Sequence, residues 1–150
     1  MKISYNWLKE YIKTDSTPQQ IADILIDLGL EVEGIEEWYS IPGGLENMII
    51  GHVVECSKHP NADKLSITKV DVGTGQLLNI VCGAPNVATG QKVIVALEGA
   101  KIFSGQDCFE IKRTKIRGET SEGMICAEDE IGIGTSHDGI IVLESNAKVG

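Results

Sequence analysis

Residues 59–73, HPNADKLSITKVDVG, decide how the rest of the chain is read. Pro60 locks its own φ and pushes His59 toward an extended conformation, so the segment opens on a fixed corner. Within that corner the side chains of Asn61 and Asp63 are suited to accept turn amides. From Leu65 onward apolar and polar residues alternate, the period of a strand with one buried face. The alternation changes parity on the way: Leu65 and Ile67 share one face, Val70 and Val72 the other. A one-residue bulge near Thr68 and Lys69 is predicted, and a bulge bends a strand as the corners of a small barrel require.

Similar alternation recurs on both sides of this segment. Strands are predicted at 48–57, 65–72, 77–83, 91–97, 109–117 and 140–143, separated by glycine-containing turns, with brief helical turns near Asn86 and Glu128. Several short strands and little helix imply a small closed or nearly closed barrel over residues 41–150. Upstream, SIPGGLEN (residues 40–47) marks a boundary, because Pro42, Gly43 and Gly44 break any continuing pattern.

Residues 1–40 carry a helical period instead. Ser4 can cap a first helix whose Trp7, Leu8, Tyr11 and Ile12 fall on one side. In TPQQIADILIDLGLE, Thr17 is an N-cap, Pro18 the first helical residue and Gln20 the capping-box partner, with Gly29 as the stop. Two such short helices do not bury both apolar faces against each other, so a further surface is expected to cover them.

With 42% hydrophobic and 23% charged residues the chain has a globular composition rather than a disordered one. Lys9, Glu10 and Lys13 interrupt the leading segment, so neither a signal peptide nor a membrane span is expected. Cys56, Cys82, Cys108 and Cys126 contain no C-x-x-C pair and read as reduced, mostly core thiols. Cys56 and His59 do form a C-x-x-H pair, but no second close pair completes a zinc site, and no metal is expected. His59, Asp63 and Ser66 are polar neighbours without the geometry of a triad. The run Glu128-Asp129-Glu130 lacks the alternating oxygen ligands of a calcium loop. The glycine pairs Gly73/Gly75 and Gly132/Gly134 lack the third glycine and the strand-to-helix setting of a dinucleotide site. No catalytic residue is expected in this chain.

The net charge of -9 by itself argues against a nucleic-acid partner, yet its distribution is uneven. Residues 1–40 hold 3 basic and 8 acidic side chains, and 41–150 hold 10 and 14. IKRTKIRG (residues 111–118) has four cations and no anion. If that strand is regular, Ile111, Arg113, Lys115 and Arg117 share a face. Two readings remain open: a charged edge strand that discourages aggregation, or a row of cations that follows a phosphate backbone.

Taken together, HPNADKLSITKVDVG, NIVCGAPNV, KIRGETSEGMICAEDEIG and HDGIIVL resemble, in this order, the tRNA-binding OB-fold module of EMAP-type proteins. That module also occurs at the C-terminus of some methionyl-tRNA synthetases and in the beta subunit of bacterial phenylalanyl-tRNA synthetase. VCGAPNV, with the leader MKISYNWLKEYI and LGLEVEGIE, resembles the beta-subunit family most specifically. The resemblance implies a mainly β fold, an OB-fold Greek-key barrel preceded by two short α-helices. Residues 1–40 would be the helical part of a first domain, and 41–150 the tRNA-binding domain of a longer subunit.

The implied function is a non-catalytic tRNA-binding or architectural module of a phenylalanine-tRNA ligase, partnered by tRNA-Phe and an alpha subunit that houses aminoacylation. ATP and magnesium are implied for the whole enzyme only, and the cytoplasm as its location. Carried onto this sequence, the binding residues are Lys58, His59, Asn61 and Lys64 at the corner, Arg113, Lys115 and Arg117 in the basic stretch, and Ser121 and Met124 in the SEGM turn. A subunit brace with little tRNA affinity and a free-standing single-strand binder are the alternatives. The second is disfavoured because aromatics for base stacking make up only 5% of the chain.

Overall fold

The structure is a computed structural model that describes residues 1–41, 44–104 and 107–150. The chain divides into two compact units, Met1–Trp38 and Tyr39–Gly150. Pro42 and Gly43, two of the predicted boundary residues, lie outside the described residues.

The first unit holds α1 (Tyr5–Tyr11) and α2 (Pro18–Asp27). The Ser4 side chain accepts from the Trp7 N–H at the start of α1. At the start of α2 the capping box is complete: the Gln20 N–H donates to the Thr17 hydroxyl at 3.3 Å, and the Thr17 N–H donates to Gln20 Oε1 at 2.8 Å. Two of the donors that a helix start leaves open are thereby satisfied. Gly29, at φ +86°, ends the helix in the left-handed region that favours glycine. Helices of 7 and 10 residues have little stability from propensity alone. Their apolar side chains are nonetheless largely outside, with Trp7 57% and Tyr11 72% exposed.

The second unit is built from β1 (Met48–His59), β2 (Ala62–Asp71), β3 (Leu77–Cys82), β4 (Lys92–Ala96), β5 (Lys101–Ser104), β6 (Asp107–Glu110), β7 (Thr114–Ile116), β8 (Glu119–Ser121), β9 (Met124–Ile125) and β10 (Val142–Leu143). The main sheet runs β10-β4-β1-β2-β3, all neighbours antiparallel. The free side of β4 is shared end to end, β9 pairing with Val95 and Ala96 and β10 with Val93 and Lys92. The sheet closes on itself across β3. There the Glu122 N–H donates to the Asn79 carbonyl at 2.8 Å, the Asn79 N–H donates to Glu122 Oε2 at 3.0 Å, and the Val81 N–H donates to the Ser121 hydroxyl at 3.1 Å. Side-chain oxygens thus take acceptor positions that a partner strand would fill in a regular ladder. The result is the expected mainly β, OB-fold-type barrel.

Inside the barrel lie Val53, Val70, Val72, Ile80, Val93, Val95, Ile125 and Ile140. A second cluster, with Ala96, Ala100, Ile102, Ile111, Cys126 and Ile131, adjoins the β5–β6 pair. Gly51 permits the tight packing of the first: a Cβ there would lie 2.6 Å from Val70 Cγ1 and 2.8 Å from Val95 Cγ2. Across the seam opposite β10, Asn86 acts as a strand substitute, donating to the Ile140 carbonyl and accepting the Ile140 N–H, both at 2.9 Å.

Two sequence expectations are corrected. No bulge lies at Thr68 and Lys69 of β2, where pairing with β3 is regular from Ser66 to Asp71. Thr68 keeps the inward parity of Val70 and Val72, fully buried, its hydroxyl donating to the Ile80 carbonyl at 2.8 Å. The extra residue is Val54 on β1, between the pairs Val53↔Val70 and Glu55↔Lys69. The second correction is that 109–117 is not one strand. Ile111 turns inward and its N–H donates to the Ala100 carbonyl at 2.8 Å, so β6 and β7 belong to different two-stranded sheets. Ile111 is buried while Arg113, Lys115 and Arg117 are exposed, and the four do not form one face.

Candidate nucleic-acid interface

The corner and the basic stretch meet. Lys58 and His59 end β1, Pro60 and Asn61 make the turn, and Ala62 pairs back with His59. Because Lys58 pairs with Ser66, residues 63–65 have no counterpart on β1 and form a bulge that displays Lys64 to solvent. The turn amide is held by His59 itself: the Asn61 N–H donates to its Nδ1 at 3.1 Å. That bond places the ring proton on Nε2, which donates to the Ile116 carbonyl at 3.3 Å. His59 is 4% exposed, with both nitrogens engaged, so it is neither half of a triad with Asp63 nor a zinc ligand beside Cys56. The Cys56 thiol faces the Val87 carbonyl instead.

Ile116 belongs to the β7–β8 hairpin, whose two-residue loop is Arg117-Gly118. Their φ values, +53° and +101°, are those of a type I′ turn, the loop that suits the twist of paired strands. Glycine is expected at the second position; an arginine in the left-handed region at the first is uncommon. Lys115 is exposed on β7. Arg113 lies just before the strand and its guanidinium meets the Glu122 carboxylate at 3.1 Å. The same carboxylate serves the barrel seam, so Arg113 braces that seam.

The predicted site residues thus divide into two groups. Lys58, Asn61, Lys64, Arg113, Lys115 and Arg117 are exposed. His59, Ser121 and Met124 are structural in their placement. Ser121 is 3% exposed and its hydroxyl also donates to the Gly123 carbonyl at 3.0 Å. Met124 packs partly buried against the second core cluster. Glu122 and the Ile116 carbonyl were missed, since no local spacing marks a residue whose role is to meet a distant strand. Asn86 was also missed, although an Asn after Pro85 is a turn signal that invites a check of its amide.

Among the described residues no three His, Cys, Asp or Glu side chains converge on a metal position. The buried thiols are poor nucleophiles: burial, with Glu130 nearby, pushes Cys126 up to about 12, and burial chiefly raises Cys82. His137, hydrogen-bonded to Asp129 at 3.0 Å, is held above the usual histidine value by that bond and the charge behind it. A cavity of about 300 Å³ is lined by Asn86, Glu128, Ser136 and Asp138, and its two carboxylates disfavour an anion.

Comparison with known proteins gives a consistent picture. Residues 48–150 match the family described as "Putative tRNA binding domain". Over all 150 residues the chain is 60% identical to a phenylalanine-tRNA ligase beta subunit of Bacteroides fragilis, and 57% identical to that of Porphyromonas gingivalis. In both cases it spans 18% of the relative's length. A solved MetRS related protein from Pyrococcus horikoshii aligns over 81% of this chain and 96% of its own, at 22% identity and a TM-score of 0.51, a likeness in fold.

Proposed function

The chain belongs to the tRNA-binding domain family, and from that premise we propose that it is a non-catalytic, RNA-contacting module of a phenylalanine-tRNA ligase beta subunit. The observation that supports this reading is the hydrogen bond from His59 to Ile116, which brings together two cationic segments whose bonded residues are 57 positions apart in the sequence. Lys58 and Lys64 stand on one side of it, Lys115 and Arg117 on the other. All four are exposed, so their charge is available to phosphates. No aromatic residue is among the candidate residues, which suits contact with a sugar-phosphate backbone better than base stacking.

Under this reading residues 1–40 and 41–150 are separate modules of a longer subunit, working in the cytoplasm with an alpha subunit and with tRNA-Phe. ATP and magnesium serve the ligase elsewhere under this reading; among the described residues no three His, Cys, Asp or Glu side chains converge on a metal position. The acidic balance of residues 41–150 favours a second reading, a brace between subunits with little affinity for RNA.

Salt-dependent binding separates the two. Four phosphate contacts give a log-log slope of about -3 to -4, so raising salt from about 50 to 200 mM weakens binding roughly a hundredfold. Replacing Lys58, Lys64, Lys115 and Arg117 together by Gln is expected to bring the slope to within about -1. No retention of tRNA by the unaltered chain at low salt would favour the brace.

A further inference from the structure

We propose that His59 is a positioning residue: it fixes the outer part of the β7–β8 hairpin against the β1–β2 corner, so that Lys58 and Lys64 are presented in one fixed relation to Lys115 and Arg117. The hairpin is a two-stranded sheet of its own, three residues on each side. Such a hairpin is marginally stable in water unless something else holds it. Its base is held, by Ser121 in the barrel seam and by the Arg113–Glu122 ion pair. Its other end carries the Arg117-Gly118 loop, with Arg117 in an uncommon backbone conformation. The Ile116 carbonyl, next to that loop, is where the His59 ring attaches.

The attachment is directional. His59 Nδ1 is occupied by the Asn61 N–H, so one ring both closes the corner and reaches across to the hairpin. Lys58 is its chain neighbour, and Lys115 and Arg117 are the chain neighbours of its acceptor. Consecutive Cα atoms are about 3.8 Å apart, so one strut governs the spacing of three of the four cations. Burial of His59 shields the bond from competing water. A ring so enclosed does not itself touch RNA.

The functional consequence rests on the RNA reading, whereas the mechanical one does not, and the test reads both. In His59→Asn the side-chain oxygen can replace Nδ1 as acceptor for the Asn61 N–H, but the amide is too short to reach Ile116. In His59→Gln the amide reaches Ile116 and the turn acceptor is lost. Amide order parameters of residues 115–119 are expected to fall below about 0.6 in His59→Asn while the barrel strands stay near about 0.85, and to remain near the unaltered chain's values in His59→Gln. With tRNA, the salt slope of His59→Asn is expected to shrink to about -2 although no cation has been removed, and that of His59→Gln to stay at about -3 to -4.

Unchanged order at 115–119 in His59→Asn overturns the proposal, as does a fall in order with an unchanged slope. If His59→Asn does not fold, His59→Gln decides: retained order and slope support the strut, and loss of both overturns it. If the unaltered chain shows no salt-dependent tRNA binding, the RNA reading fails, and the order parameters alone decide whether His59 holds the hairpin.

Discussion

Ile80 and Ile24 are the same residue type, each on a clear apolar stripe, yet Ile80 is fully enclosed in the barrel and Ile24 on α2 is 47% exposed. The local rules are met in both places: β3 pairs in regular register with β2, and α2 has a complete capping box. The difference lies in closure. Strands β1 to β4 find their last partners in residues 121–125, so the apolar face of the sheet becomes an interior. The helices satisfy their backbone ends but keep Trp7, Tyr11, Ile24 and Ile26 in solvent. Correct local structure and burial are separate achievements, and only burial supplies the larger part of stability.

The largest expected effect tests that difference directly. Ile80→Ala should destabilise the barrel by about 2–5 kcal/mol in chemical denaturation, through lost transfer energy and the cavity left behind. Ile24→Ala should change stability by no more than about 0.5 kcal/mol. Equal costs would break the comparison. Next comes the seam: Ser121→Ala leaves the Val81 N–H without its acceptor and should cost about 1–3 kcal/mol, while Ser121→Thr, which keeps a hydroxyl, should cost less. A negligible loss would mean that the barrel does not depend on that closure. In the helical unit, Thr17→Ala removes half of the capping box and should cost α2 about 1 kcal/mol, seen as faster amide exchange in α2 with the barrel melting temperature unchanged.

How much of this was legible in the sequence follows the same division. The capping box, the Gly29 stop and the first four barrel strands depend on neighbours a few residues apart, and they were read. The bulge expected at Thr68 and Lys69 is absent: Thr68, Val70 and Val72 keep one inward parity, Leu65 and Ile67 are only half-buried on the other, and nothing in the β2 pattern marks the extra residue that β1 carries at Val54. Residues 109–117 were read as one strand because charge alternation hides the inward turn at Ile111. Arg117 gave no turn signal, since the first position of a type I′ loop usually carries Asn, Asp or Gly. Of the candidate site residues, the cations are exposed, as their charge alone suggests, whereas the interior placement of His59 and Ser121 was not read: each has a partner 40 or more residues away.

The smallest effect lies on the barrel's exposed surface, at His137. Its folded pKa is raised by Asp129, so the pair's contribution to stability is fully present below histidine's unfolded value and fades as pH rises through the folded one. An NMR titration should show His137 titrating above an ordinary histidine, and at a lower pH once Asp129→Asn removes the charge. An unmoved titration would mean that the contact is not maintained in solution.

The proposed RNA-facing surface requires corner and hairpin to act together on the nearly closed barrel. Titration of the ¹⁵N-labelled chain with tRNA-Phe, followed amide by amide, tests it most directly. Residues 58–64 and 115–118 should shift together, with one shared binding curve, while α1 and α2 stay in place. Shifts confined to one segment, two different curves, or a response centred on the helices would contradict it.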